Sequence, residues 1–300
     1  MNSKNAQNYI LIVTTALFWG LSFVAMNALL DWLEPAQILA GRWTLAAACF
    51  AVILLVKRHR IVFRGKNIRF LLLTGLAEPV LEAFCETNSL RYVSPSICSI
   101  FIATVPCVAL IIGMLVFHKK TNQKGIFSII IAFSGVLVCT MFSPDFAAGG
   151  SFQGYLLLIC AVTFAAVYGF FSNRASEGFS TLEITAVMAF EGCVSFNLIA
   201  LLTGHGLDTY VMIVTNPQVL VPVALLGIFC SCVCYACCNQ VMKTMNIALA
   251  NNMISCLVTV VGVIAGITIA GDPAGWYTAV GLALTLTGVW LSSRAEEESA

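Results

Sequence analysis

Ten apolar stretches alternate with short polar breaks along the chain, at 9–30, 35–56, 68–90, 93–117, 125–142, 152–173, 181–203, 218–241, 245–270 and 274–293. Each is close to the ~20 residues that a helix needs to cross the hydrocarbon layer of a bilayer. The pattern predicts an all-α integral membrane protein with ten transmembrane helices. Trp32 and Trp276 fall near the proposed outer ends of their stretches, and Tyr9 and Trp290 near the inner ends. Amphipathic rings favour those headgroup levels. The leading MNSKNAQN carries one Lys and no small-residue cleavage site, so the first stretch reads as a retained span.

Composition narrows the function classes. Of 300 residues, 60% are hydrophobic and 10% charged, against the ~25% charged residues of an ordinary soluble domain. A water-facing globule of this length cannot hide so much apolar surface, which excludes a soluble enzyme. The net charge is +1, and no basic stripe interleaved with aromatics suggests a nucleic-acid partner. All 13 cysteines lie inside apolar stretches, an arrangement that does not suggest a disulfide framework. The three histidines, His59, His118 and His205, fall in loops or at span ends, and neither HExxH nor GxxxxGK[ST] occurs. Intramembrane His catalysis, zinc hydrolysis and ATP-driven pumping therefore lack their parts. No catalytic residue, cofactor or resident metal is expected, and the chain is not read as an enzyme.

Basic residues set the orientation. With the N-terminus in the cytoplasm, Lys57, Arg58, Arg60, Arg64, Lys66 and Arg69 lie inside, as do Lys119, Lys120 and Lys124. Adding Lys4, Arg174, Lys243 and Arg294 puts 13 of the 15 basic residues on the inner side. This is the positive-inside bias, and it predicts a multi-pass protein of the cell membrane with both termini cytoplasmic.

The chain also repeats. An offset of 152 aligns residues 89–106 with 241–258, pairing Arg91 with Lys243 and Ser99 with Asn251. Ser134-Gly135-Val136 matches Thr287-Gly288-Val289, and Phe18 and Asn27 match Phe164 and Asn173. The order holds in both halves, which predicts two five-helix units, 1–145 and 146–300. Five is odd, so the second copy enters the membrane from the opposite side, a common transporter plan with its site near the midplane between the halves.

The segment ETNSLRYVSPSICSIFIATVP (86–106) resembles the signature of the EamA-type family in the drug/metabolite transporter superfamily. LFWGLSFVAMN (17–27), with Trp19-Gly20, is similar to that family's first span, and Arg42 stands where its second span often has an arginine. The second half departs from the signature, with Val258 in place of the usual proline and no Trp in its first span, where Tyr168 is nearest. The resemblance implies a ten-span carrier of small organic metabolites, often outward.

Polar residues inside the apolar runs are the candidates for chemistry. Glu78, Glu82 and Glu86 recur every four residues on the third run, within ~80° of one helix face and ~15–27 Å from the inner surface. Carboxylates at such depth cost ~2.5–3.5 kcal/mol each on insertion scales, so they should face the bundle interior or a wet passage. Such a cluster can bind cations or carry protons. Arg42, at a depth close to that of Glu82 and Glu86, reads equally as a salt bridge joining the second and third spans, as a gate, or as a clamp for a substrate carboxylate. Glu191, ~16 Å into the seventh run, would bring a carboxyl from the second half to the depth of Glu78. Trp19 could stack on a cationic ligand or simply pack. Pro79 and Pro106 break the third and fourth helices, and each frees the carbonyl four residues earlier.

The cysteines of CSCVCYACC place Cys230, Cys234, Cys237 and Cys238 within ~100° of a helix face, a soft-metal pattern without matching ligands elsewhere. Packing is the plainer use. The preferred function is alternating-access transport, in the export direction, of a small amino-acid-like metabolite, with protons as a coupling ion. Glu78, Glu82, Glu191 and Trp19 are its candidate binding residues, and Arg42 and Glu86 its gate or salt bridge. The alternatives are a soft-metal or cationic-drug exporter and a passive channel. The expected partners are the small-molecule substrate and the lipid bilayer, with the protein as monomer or homodimer.

Overall fold

The structure is a computed structural model and describes residues 3–116, 118, 122–144, 152–245 and 247–299. Among these residues all regular structure is helical. The first half contains α1 (Ser3–Leu29), α2 (Pro35–Val56), α3 (Ile68–Gly75), α4 (Glu82–Ser89), α5 (Pro95–Ile102), α6 (Val105–Val116) and α7 (Gln123–Met141). The second contains α8 (Phe152–Ser176), α9 (Thr181–Leu202), α10 (Leu207–Thr215), α11 (Pro217–Ala224), α12 (Cys234–Thr244), α13 (Ile247–Ala265) and α14 (Trp276–Ser299). Wider π-helical turns at Leu76–Leu81 and Leu225–Val233 join α3 to α4 and α11 to α12, and a third, Gly266–Ala270, ends α13. The expected boundary at 145/146 and the loop lysines Lys119 and Lys120 lie outside the described residues.

Eight helices among the described residues are long and apolar enough to cross a bilayer. Two of the ten apolar runs fall short of that description. The run at 68–90 is broken into α3, the turn and α4 and carries three glutamates, and the apolar part of α14, Trp276–Ser292, is shorter. The fourth run reads through as Pro95–Val116, although α5 gives way to α6 at Ala103–Thr104, just before Pro106. The connection at 204–217, expected as a polar break, contains α10.

Local chemistry fixes the helix ends. Pro35 opens α2 behind a reciprocal cap between Glu34 and Gln37, and Ser180 and Glu183 cap α9 in the same way. Both satisfy backbone N–H groups that a helix start leaves without partners. Gly204 adopts φ +90°, and the His205 N–H returns to the Ala200 carbonyl at 2.8 Å to close α9. A left-handed residue at this point suits glycine. In the exposed turn that follows, His205 and the Gly206 N–H bond Asp208 and hold its carboxyl below the usual range.

The packing is two-fold in character. α1 lies against α13 and the π-turn–α12 segment, while α8 lies against α5–α6 and the α3–α4 segment. α2 packs on α9, its equivalent in the second half, and α7 packs on its own equivalent, α14. Small residues make the last contact close. A Cβ on Gly135 would collide with Thr285 and the Gly281 carbonyl, and one on Gly288 with Ala132. Membrane helices approach each other through such surfaces. Between α2 and α9, Trp43 and Phe196 are fully buried.

Candidate functional site

The site begins at the break in the third apolar run. Glu78 leaves the helical region altogether (φ −141°, ψ 118°), and Pro79 follows it. Proline lacks an N–H and cannot continue the ladder, so the helix opens there and restarts as α4 at Glu82. Gly192 of α9 accommodates the bend, because a Cβ at that position would stand 2.9 Å from both the Pro79 ring and the Trp43 indole. π-Helical insertions of this kind are frequent at functional sites.

Three contacts tie this break and its surroundings to the second half of the chain. The Tyr235 hydroxyl donates to Glu78 Oε1 at 2.7 Å. Arg42 Nε donates to the Ser231 hydroxyl at 3.1 Å, and Trp19 Nε1 donates to the Cys230 carbonyl at 3.0 Å. All three partners come from the Leu225–Val233 turn or the first turn of α12. Trp19 also meets the Tyr235 ring edge-on, with centroids 5.5 Å apart. Arg42, Glu82 and Glu86 are buried, while Glu78 and Trp19 are half-buried.

The sequence expectations fare differently. Glu78 lies in the opened turn and faces Tyr235, while Glu82 and Glu86 stand one turn apart on α4. The expected salt bridge between Arg42 and Glu82 or Glu86 is corrected, because Arg42 makes no ion pair among the described residues. Its guanidinium instead bonds Ser231, points Nη1 at Met26 Sδ (3.7 Å) and lies 5.2 Å from the centre of the Trp43 ring. The Ser231 hydroxyl takes its Nε in place of a carboxylate. Glu191 does not join Glu78 either. It lies across α3, against Gly75, and Leu72, Leu73, Leu76, Val80 and Ser195 line the groove around it. Pro106 sits in the first turn of α6, beyond the break.

Sequence reasoning missed Tyr235, Ser231 and Met26. Serine, tyrosine and methionine are ordinary in apolar helices, and only the repeat offset could have drawn attention to the first two. Adding 152 to Glu78, Glu82 and Glu86 gives Cys230, Cys234 and Cys238. The acidic stripe and the cysteine face are thus one set of positions in the two copies. Cys230 and Cys234 turn their thiols to the carbonyls of Phe18 and Thr15 on α1, and Cys232 turns to Ala46 on α2. Among the described residues no three His, Cys, Asp or Glu side chains are grouped to hold a metal.

Comparison with known proteins agrees with the repeat. The profile of the EamA-like transporter family matches residues 7–141 and again 152–294. The uncharacterized transporter YcxC of Bacillus subtilis (strain 168) is 26% identical over 94% of this chain and 91% of its own length. The uncharacterized transporter YyaM of the same organism is 24% identical over 97% of this chain and 94% of its own. A solved crystal structure at 15% identity superposes with a TM-score of 0.62, covering 98% of this chain and 99% of that one. At that identity the likeness shows the fold alone.

Proposed function

We infer the activity from one premise: this chain belongs to the EamA-like transporter family. It is a multi-pass membrane protein of transporter type. We propose that it is an alternating-access carrier with ten spans in two inverted five-helix repeats, 1–145 and 146–300, exporting a small amino-acid-like metabolite across the cell membrane. Both termini are cytoplasmic in this reading, and the coupling ion is the proton.

One observation carries the proposal. The groups capable of recognising a zwitterion stand at a helix break where the two halves touch, through Glu78–Tyr235, Arg42–Ser231 and Trp19–Cys230. A transporter site is expected at such a break between repeats. The three carboxyls and the Trp19 face suit an ammonium group, and Arg42 suits a carboxylate. Acidic groups outnumber the single arginine, which disfavours a free anion. The Glu78–Tyr235 bond spans the two halves, so a change in the charge on Glu78 bears directly on their contact. Proton influx coupled to substrate efflux follows as the cycle of this reading.

Counterflow in proteoliposomes tests the carrier reading. The expected result is saturable uptake of labelled amino acid that is stimulated by unlabelled substrate on the far side and driven by a pH gradient. Glu78→Gln should abolish the pH-driven component and retain exchange. Uptake that does not saturate and shows no trans-stimulation would make the protein a channel. Unchanged pH dependence in Glu78→Gln, Glu82→Gln, Glu86→Gln and Glu191→Gln alike would remove proton coupling.

A further inference from the structure

Glu191 is an ionisable side chain deep in a span that the central site leaves unused. It lies ten residues into α9, ~15 Å from that helix's inner end, at a depth where a carboxyl without a partner is costly. Its Oε1 atom is shielded from solvent and has no hydrogen-bond partner. Its other oxygen rests so close to Gly75 that a Cβ there would collide with it. Ser195 stands one turn further along α9, on the same wall of a groove of about 260 Å³ whose other wall is Leu72, Leu73, Leu76 and Val80.

The groove opens sideways. Leu72 and Leu76 are about half exposed on the α3 side, and Phe190, Val194 and Leu198 are exposed beside Glu191 on α9. In a membrane-spanning bundle those surfaces face acyl chains. The fold does not need an acid at this place. Gly227, 152 residues after Gly75, makes the corresponding close approach between the two halves, and there it meets the aliphatic Leu45. In one copy the contacting side chain is aliphatic, beside the Arg42 backbone carbonyl, and in the other it is a carboxyl with an unused oxygen.

We propose that this lateral groove between α3 and α9 is a binding site for a single-chain lipophilic ammonium that reaches Glu191 from within the bilayer. Primary or secondary ammonium N–H groups would bond the Glu191 carboxylate and the Ser195 hydroxyl. The chain would lie along Leu72 and Leu76 and continue among the lipids. The volume is just under the ~300–1,000 Å³ of a typical ligand pocket, which fits a head group and the start of a chain. A phospholipid head group belongs at the interface, too far from this depth to reach it. The site rests on the membrane-spanning reading of the chain and is independent of the central site.

Photolabelling tests it. The full-length protein in phosphatidylcholine nanodiscs is exposed to a dodecylamine carrying a diazirine on its chain, irradiated, and mapped by mass spectrometry. Adducts are expected in residues 72–80 and 191–195, reduced at least fivefold by excess dodecylamine but not by dodecanol. Glu191→Gln is expected to remove at least 80% of them. Val80→Trp, which fills the groove and keeps the acid, is expected to do the same, so a folding defect in one variant does not decide the outcome. Glu78→Gln should leave groove labelling unchanged, which separates this site from the carrier reading. Equal competition by dodecanol, labelling spread evenly over the lipid-facing helices, or full labelling in both groove variants would overturn the proposal.

Discussion

At the residue scale the account turns on what Arg42 and Tyr235 do for the carboxyls. Arg42 cannot discharge itself at ordinary pH, and its one strong contact with the second half is Ser231. Arg42→Lys replaces a flat fork by a point charge, so a substrate carboxylate gripped there should bind about tenfold more weakly, ~1.4 kcal/mol. Counterflow KM reads this directly, and a KM within twofold of wild type would remove Arg42 from the substrate. Tyr235→Phe deletes the donor to Glu78. A hydrogen bond of this kind contributes ~1 kcal/mol to stability, so unfolding should change by only a few degrees. The pH profile of transport should shift, because Glu78 loses the group that orients it. An unmoved profile would make the pair purely structural.

The acidic stripe was legible in the sequence because charge inside an apolar run is conspicuous, and so was Pro79. Their partners were not. Tyr235 lies 157 positions from Glu78 and Ser231 189 from Arg42, and nothing local marks a hydroxyl that will face a charged group on another helix. Equal depth suggested that Glu191 would join Glu78, but depth says nothing about the direction in which a side chain points. Glu191 rests against Gly75 in a groove lined by Leu72, Leu76 and Val80, whereas Glu78 turns to Tyr235.

At the element scale, the broken segment from α3 to α4 decides the geometry. A continuous helix would keep the three glutamates on one face. The break at Glu78–Pro79 sends Glu78 toward α12, and Gly192 lets α9 close over the bend. Gly192→Ala would force a methyl into the Pro79 ring and the Trp43 indole, both parts of a packed interior. Overpacking of this sort costs ~1–3 kcal/mol. A chemical-unfolding midpoint equal to wild type would show that α9 does not seat so closely. Gly75→Ala differs, since the obstruction is mainly the end of the Glu191 side chain. Its cost should shrink in the Gly75→Ala, Glu191→Ala double variant, a non-additivity expected of groups in contact. Helix positions were legible from hydropathy, but the π-helical turns were not, because they leave the apolar pattern intact, and α10 was not, because its 9 residues are too few for a span.

At the scale of the whole molecule the two halves are one design used twice with different chemistry. The equivalent positions carry Glu78, Glu82 and Glu86 in one copy and Cys230, Cys234 and Cys238 in the other. The packing pairs repeat in the same way, α1 with α13 and α8 with α5–α6. In the proposed carrier, two-fold packing with unlike side chains would build a single asymmetric site. Inversion gives this a consequence in space. Glu86 and Cys238 are equivalent residues by the 152-residue offset, and in the proposed inverted arrangement they would approach opposite membrane surfaces.

That consequence can be measured in a variant whose native cysteines are replaced, carrying one cysteine at position 86 or at position 238. Sealed vesicles of known orientation are treated with a membrane-impermeant thiol reagent from one side at a time. The account predicts labelling at 86 from the outside only and at 238 from the cytoplasmic side only, with both rates altered by transported substrate. Labelling of both from the same side, or of neither from any side, would contradict a wet path between two inverted halves.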